Sequence, residues 1–508
     1  MSKQEDSVTS QTGAAAIVAR GKRASREGAA HYSVDEVLRD GGSIHIRAIR
    51  PSDRQFLLEH FKGLSPQSSY HRFFGMRRTL SEEDLANLTE LDFESHVGLA
   101  ATLTDGGGER FIGVGRYMRV GDSNVAEVAF AVLDEHQGRG IGTLLLDHLS
   151  RIAREGGITE FRADVLGDNN RMLEVFAKSG FIVSRSYESG VVHVSFATRE
   201  TERFIEASQA RERTATAQSM VRVLEPRSVA IVGASRDPGK IGGAILANLR
   251  AGGFRGPIYP VSTSAAEVQG LKCHRSVSEI GASVDLAVIA LPAAAVEAAI
   301  ADCARAGIRG VVVITSGFAE MSEQGRAAQN RLVEMVRSAG MRMVGPNCLG
   351  VLNTDPQVCL NATFSPFAPT PGNIGMFSES GALGIAVLDY ARVRDIGISS
   401  LVSAGNRADV SSNDLLAYWG EDPRTTAIVL YLESFGNPRK FARLAPEVAQ
   451  RKPIIAVKAG RTAAGTRAAS SHSAALASLD VAVDALFEQA GVIRTATLEE
   501  LFDVAVLL

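Results

Sequence analysis

The spacing of hydrophobic positions changes several times along the chain. Residues 1 to about 30 are rich in Ser, Gln, Ala, Gly and charge and show no amphipathic period, which predicts a disordered tail. Alternation begins at Ser43-Ile44-His45-Ile46-Arg47-Ala48-Ile49, the pattern of a half-buried strand, and mixed strand and helix patterns continue to about Phe196. From Glu200 to about Val221 the chain is charged and alanine-rich, which predicts an exposed connecting helix. Beyond Ser228, short and nearly continuous apolar runs alternate with helix-length amphipathic segments. The runs are 229–232, 257–261, 286–290, 310–314 and 342–344, and strands of this kind are buried on both faces of a parallel sheet. The rhythm restarts at 375–377 and repeats at 400–402, 427–432 and 453–457. The expected fold class is therefore α/β: a mixed-sheet domain over 31–199, a linker helix over 200–219, and two successive open α/β domains over 220–350 and 351–508. The last two are expected to part near Asn347 to Pro371.

Composition narrows this picture. At 508 residues the chain is too long for one core, given about 100–200 residues per domain. It has 49 glycines, and in α/β proteins glycine-rich βα turns are where cofactors bind. A net charge of −3, with no basic tract or interleaved aromatic stripe, argues against nucleic acid as a partner. Cys273, Cys303, Cys348 and Cys359 have no CxxC spacing, so neither a metal site nor a disulfide framework is expected. No apolar run reaches the ~18 residues that span a bilayer, and the polar N-terminus has no signal-peptide core. A cytoplasmic setting without membrane contact is the expectation. The apolar ending at Leu507-Leu508 suggests a further domain or packing on another subunit, and a homo-oligomer is expected.

Two glycine-rich turns carry the first candidate chemistry. The strand Val125-Ala126-Glu127-Val128-Ala129-Phe130-Ala131-Val132 leads into Gln137-Gly138-Arg139-Gly140-Ile141-Gly142-Thr143 and then a helix. Alternate glycines at a helix N-terminus leave backbone N–H groups pointing outward, an anion cradle suited to a pyrophosphate. Glu127, charged within an apolar strand, is a candidate general base for an amine nucleophile. Together with Asn169 and Gly180-Phe181 downstream, this pattern over about residues 43–196 resembles the GCN5-related N-acetyltransferase (GNAT) superfamily. The resemblance implies that Gln137, Gly138, Arg139, Gly140, Gly142 and Thr143 hold the pyrophosphate of acetyl-CoA. It also implies that Val132 and Leu133 pair with the pantetheine arm, that Asn169 touches the cofactor, and that Glu127 is the base. Phe176 stands where many relatives have a tyrosine acid; the glutamate-only pattern resembles protein-lysine acetyltransferases and implies a protein substrate, possibly an acyl-CoA synthetase.

In the second turn, Ile231-Val232-Gly233-Ala234-Ser235 runs into Arg236-Asp237-Pro238-Gly239-Lys240-Ile241-Gly242-Gly243 and a helix. Ala234 and Ser235 break the dinucleotide fingerprint, and the next strand ends in Pro260-Val261-Ser262 with no acid for a ribose, so NAD is disfavoured. With Ala290-Leu291-Pro292, Ile314-Thr315-Ser316-Gly317-Phe318-Ala319-Glu320 and Gly345-Pro346-Asn347-Cys348-Leu349-Gly350, residues 220–350 resemble the Rossmann-like CoA-binding domain of succinyl-CoA and ADP-forming acetyl-CoA synthetases. The resemblance implies coenzyme contacts at Gly233, Ala234, Ser235, Leu291, Pro292, Thr315, Ser316 and Gly317.

The third feature is His472, in a small-residue loop after the strand at 453–457 where an imidazole has access. Upstream, Ser378, Ser380 and Gly381 open a helix whose N-terminus suits a phosphoryl group, and Glu433 ends a strand where it could hold the imidazole's other nitrogen. Residues 371–508 resemble the flavodoxin-like domain of the same synthetases, in which a histidine is phosphorylated by acyl phosphate and passes the phosphoryl group to ADP. Glu379 stands where that family has Gln, and its charge is expected to repel phosphate. The nucleotide, ATP or ADP with Mg, belongs to an ATP-grasp domain absent from this sequence, so a domain or subunit of that type is an expected partner. Three readings follow: a lysine acetyltransferase with a second acyl-CoA chemistry, an acetyltransferase regulated by a non-catalytic CoA sensor, or the alpha-type part of a synthetase.

Overall fold

The computed structural model describes residues 26–75, 77–105, 108–459 and 480–507, and the chain divides into two compact units, 1–39 with 43–212 and 40–42 with 213–508. Unit 1 is built on one eight-stranded sheet. Its strands are β1 (Ser33–Val37), β2 (Ser43–Ala48), β3 (His96–Asp105), β4 (Gly108–Arg119), β5 (Val125–Val132), β6 (Glu160–Leu166), β7 (Val183–Glu188) and β8 (Val191–Ala197), in the order β1-β2-β3-β4-β5-β6-β8-β7. Every neighbouring pair is antiparallel except β5 with β6.

Strand alternation sends side chains to two cores. Leu99, Ala101, Ile112 and Val128 pack with Leu145 and Leu149 of the helix Ile141–Glu155 on one face. Ala100, Phe111 and Val114 pack with Leu57 of Arg54–Gly63 and Leu85 of Glu82–Thr89 on the other.

Two boundaries differ from the expectation. The disordered tail is expected over 1–30, yet residues 26–30 are helical and Ala29 is in the core of unit 1. The linker helix, expected over 200–219 and exposed, runs Glu202–Leu224 and is buried along part of its length. Phe204 stacks on Phe181 at 4.5 Å in unit 1, and Met220, Val223 and Leu224 belong to a core of unit 2.

Unit 2 contains two sheets. The first holds β9 (Val229–Val232), β10 (Ile258–Val261), β13 (Leu286–Ile289), β14 (Gly310–Val313) and β15 (Arg342–Val344), all parallel in the order β10-β9-β13-β14-β15. Between them lies a small hairpin, β11 (Glu267–Val268) and β12 (Leu271–Lys272). Helices cover both faces: Ile245 and Leu249 meet Ile231 and Val288 on one, and Val296, Ile300 and Leu332 meet Ile289 and Val313 on the other.

The second sheet holds β16 (Gly350–Asn353), β17 (Leu360–Thr363), β18 (Pro371–Ser378), β19 (Ile398–Ser403), β20 (Ala427–Leu432), β21 (Ile454–Lys458) and β22 (Ile493–Thr495). Its order is β17-β16-β19-β18-β20-β21-β22, parallel from β19 to β22, with the antiparallel pair β16–β17 at one edge. Buried Arg342 joins the two sheets' domains. Its guanidinium meets Asp409 at 2.9 Å and Asp414 at 3.2 Å and donates to the Ser219 hydroxyl at 2.7 Å.

Candidate active sites: a forked sheet and two carboxyl edges

In unit 1, β5 follows β4 along its whole length but is held by β6 only at Val125, Ala126 and Glu127. Beyond Glu127 the two strands part, and β6 runs on with β8 alone. The fork leaves the β6-facing edge of Val128–Val132 without a strand partner, and unpaired backbone groups on an edge are a template for an extended ligand. Glu127 is exposed and stands at the fork itself.

The glycine turn follows directly. Gly138 and Gly140 have φ of +77° and +95°, and Gly140 is the N-cap residue of Ile141–Glu155. Nothing crowds a Cβ at Gly138, so glycine is required there by backbone conformation and not by space. The first turn of that helix, with Ile141, Gly142 and Thr143, carries unpaired N–H groups by construction.

Other expected residues are engaged within the fold. Gln137 donates to the Val132 carbonyl at 3.0 Å and the Ser68 hydroxyl at 3.1 Å and accepts from Arg171, so it stitches the turn to the strand. Leu133 spends its N–H on the Ile112 carbonyl, which leaves Val132 as the residue facing the fork. Arg139 contacts His136 at 2.8 Å. Asn169 caps Asn170–Lys178 by accepting from the Met172 N–H at 3.1 Å. Phe176 is fully buried against Phe196.

Sequence reasoning missed two arginines on the other face of this region. Arg116 of β4 lies opposite Ala129 and is buried, with Nη1 unpartnered. Arg72, on the helix Pro66–Phe73, lines the same cavity. Burial, aided by Arg72, lowers Arg116 to about 9. Arg72 is lowered by burial as well, against the attraction of Glu127. The signal was present: a basic residue within an apolar strand is the same anomaly that singled out Glu127.

In unit 2 the four expected segments meet at the carboxyl edge of the first sheet. Gly233 follows β9 with φ +96°, and a Cβ there would lie 2.3 Å from the Ala290 carbonyl oxygen. Ala234 donates its N–H to Val261, and the Ser235 hydroxyl accepts from Asp237. Leu291 and Pro292 follow β13, and the Thr315 hydroxyl donates to the Leu291 carbonyl at 2.6 Å. Ser316 and Gly317 continue the edge after β14, and Glu320 accepts from the N–H groups of Gly317 and Phe318. Asn347 donates its N–H to Thr315 and closes the group. These ends surround β9, where the strand order reverses, the position at which open α/β sheets bind ligands.

At the second sheet, β18 and β20 end side by side, with Ser378 beside Tyr431. Ser378 is buried, and its hydroxyl donates to the Ser380 carbonyl at 2.8 Å; the Ser380 hydroxyl caps the helix Gly381–Val393. Of this group, the N-terminal backbone of that helix, with Gly381, is what can receive an anion. Glu433 is exposed at the end of β20. His472 lies outside the described residues.

The charge expected of Glu379 against phosphate is already engaged. Its side chain is 4% exposed, pairs with Arg407 at 2.5 Å, and accepts from the N–H groups of Glu433 and Ser434. Burial pushes it up to about 7, opposed by Arg407. Next to Arg407, Asn406 donates to Glu320 and to Gln329, so adjacent residues of one loop hold both edges. Among the described residues no cluster could hold a metal ion, and no helix is long and apolar enough to cross a membrane.

The fold and these edges match three known families: the acetyltransferase (GNAT) family over residues 67–181, a CoA binding domain over 227–354, and the succinyl-CoA ligase-like flavodoxin domain over 371–508. The chain thus joins a GNAT domain to a CoA-binding domain and a succinyl-CoA ligase-like flavodoxin domain. Among particular relatives, it is 43% identical over 289 residues to the acetate–CoA ligase [ADP-forming] I subunit alpha of Pyrococcus furiosus, covering 56% of this chain and 62% of that one. A solved acetyl-coenzyme A synthetase 1 of Ca. Korarchaeum cryptofilum, in complex with phosphate and ADP, is 45% identical, with a TM-score of 0.52, covering 55% of this chain and 60% of that one. An acetyltransferase of Pseudomonas aeruginosa is 28% identical over 160 residues, 31% of this chain and 86% of its own. The chain spans less than two thirds of the synthetase relatives, 62% of the first and 42% of an Archaeoglobus fulgidus acetate–CoA ligase.

Proposed function

We propose that unit 1 transfers an acyl group from acetyl-CoA to a protein lysine, with a protein such as an acyl-CoA synthetase as acceptor. The observation that supports this most is the fork: an open strand edge, a glycine-opened helix N-terminus at its mouth and a carboxylate at its apex. The pyrophosphate would lie on the N–H groups from Gly138 to Thr143, and the pantetheine arm would extend β5 at Val132. Glu127 would take the proton of the lysine ammonium, directly or through water. The freed amine attacks the thioester carbon. As the adduct collapses to the amide its nitrogen gives its remaining extra proton to solvent, and the departing thiolate takes a proton from solvent, because Phe176 has none to give. The test is acyl transfer from acetyl-CoA to candidate proteins. Glu127→Gln is expected to lower the rate about 10²–10⁴-fold with coenzyme affinity retained, and transfer as fast as wild type would remove the base assignment.

For unit 2 the favoured reading is the alpha-type part of an ADP-forming acyl-CoA synthetase. It rests on the convergence of Gly233, Leu291 and Thr315 at one edge and on relatives 43–45% identical across both domains. In this reading His472 carries a phosphoryl group between acyl phosphate and ADP, Glu433 orients it, and the helix at Gly381 receives the anion. An ATP-grasp subunit would supply ATP or ADP with Mg. Acid-labile label on His472, after incubation with acetyl phosphate or with ATP and such a subunit, is the expected result. Its absence in both would favour a CoA sensor that regulates unit 1. Four free thiols suit a reducing cytoplasm, the setting this proposal implies.

A further inference from the structure

The sheet face opposite helix Ile141–Glu155 holds a cavity of about 40 Å³, roofed by the helices Arg54–Gly63 and Pro66–Phe73 and floored by β4 and β5. Its walls are apolar, Leu57 and Phe61 among them, except for His60, Arg72 and Arg116. Arg116 is 7% exposed, its Nη1 is buried without a partner, and among the described residues nothing hydrogen-bonds or ion-pairs with it. No carboxylate lines the cavity. His60 contributes no charge: its Nδ1 contacts the Phe111 carbonyl at 3.1 Å, and burial lowers it to about 4. Arg116, by contrast, remains a cation at neutral pH. A buried, unpaired guanidinium is unfavourable unless an anion arrives to meet it.

Its position relates it to the fork. Strand alternation puts Glu127, Ala129 and Ala131 on this face, and Arg116 is directly opposite Ala129. Ala129 and Ala131 line the cavity and also belong to the open edge of β5, so a group carried on a thioester along that edge could pass over two methyl side chains toward Arg116. The small size of the cavity favours a short acyl group, and its two arginines favour one with an anionic end.

We propose that this cavity is a carboxylate subsite. It takes the free carboxylate at the end of a short dicarboxylic acyl group on the coenzyme thioester, or a short free carboxylic acid of the same shape. The first source rests on the acyl-CoA reading of unit 1; the second does not.

The test is calorimetric titration of the full chain with succinyl-CoA, acetyl-CoA, CoA and succinate. Wild type is expected to bind succinyl-CoA about tenfold more tightly than acetyl-CoA. Arg116→Met should bring that ratio to about one, with CoA affinity unchanged, and Arg116→Lys should restore part of it. If Arg116→Met does not fold, Arg72→Met gives the same readout from the cavity wall. Stabilisation by succinate alone, lost in either variant, would assign the subsite to a free acid. If CoA fails to bind unit 1, the acyl-CoA reading falls while the succinate titration still decides the subsite. A ratio of one in wild type, together with no effect of succinate, would overturn the proposal.

Discussion

Glu127 and Glu379 are two carboxylates at strand ends or forks, and their surroundings give them opposite work. Glu127 is exposed at the fork, and under the proposed transfer it is the base for the incoming amine, so Glu127→Gln should affect the chemical step and leave the coenzyme's affinity intact. Glu379 is enclosed with Arg407 and two backbone N–H groups. Burial lifts its folded pKa to about 7, above the ordinary value of 4.5, against the opposing pull of Arg407 and the two N–H groups. The associated stability is fully present below about 4.5 and is lost as pH rises through about 7. Glu379→Gln is therefore expected to flatten the fall in Tm between pH 5 and pH 8, measured by calorimetry. At this scale the sequence was only half legible. It marked Glu127 and Gly233 through local anomalies, but it could not show that Asn169, Gln137 and Ser378 satisfy their own neighbourhood's hydrogen bonds. Those partners lie on other elements or depend on exact backbone geometry.

Strands and their glycine turns were the most readable elements. The runs at 229–232 and 427–432 coincide with β9 and β20 because a strand buried on both faces has no charged position inside it. Helix starts were less readable: the helix expected from Ala244 begins at Ile241, as Gly242 and Gly243 lie against the carbonyls of Gly233 and Asp237. The same closeness makes Gly233 a sensitive position. Gly233→Ala would set a methyl group 2.3 Å from the Ala290 oxygen at a left-handed φ, at a cost of about 1–3 kcal/mol. Titration with CoA is expected to give a stoichiometry near two for wild type and near one for this variant. An unchanged stoichiometry would place the second coenzyme site elsewhere.

Across the whole molecule, the order of domains was legible because each change of fold type changes the hydrophobic period. The join within unit 2 was not, since it depends on Arg342 reaching Asp409 and Asp414, which are 67 and 72 residues away. Arg342→Met should destabilise unit 2 by about 3–5 kcal/mol, because it leaves buried Asp414 without its ion pair and Asp409 with Arg337 alone. Denaturant unfolding monitored at Trp419, which is buried in that unit, measures it. The fork in unit 1 has a consequence for folding as well as for catalysis. A sheet whose strands separate after three residues is missing an internal rung, and a bound pantetheine arm would supply it. The coenzyme then acts as a piece of secondary structure contributed from outside. Amide hydrogens of Phe130 and Val132 should exchange quickly in the free chain and slowly once it is loaded, and the melting temperature of unit 1 should rise with coenzyme concentration by mass action.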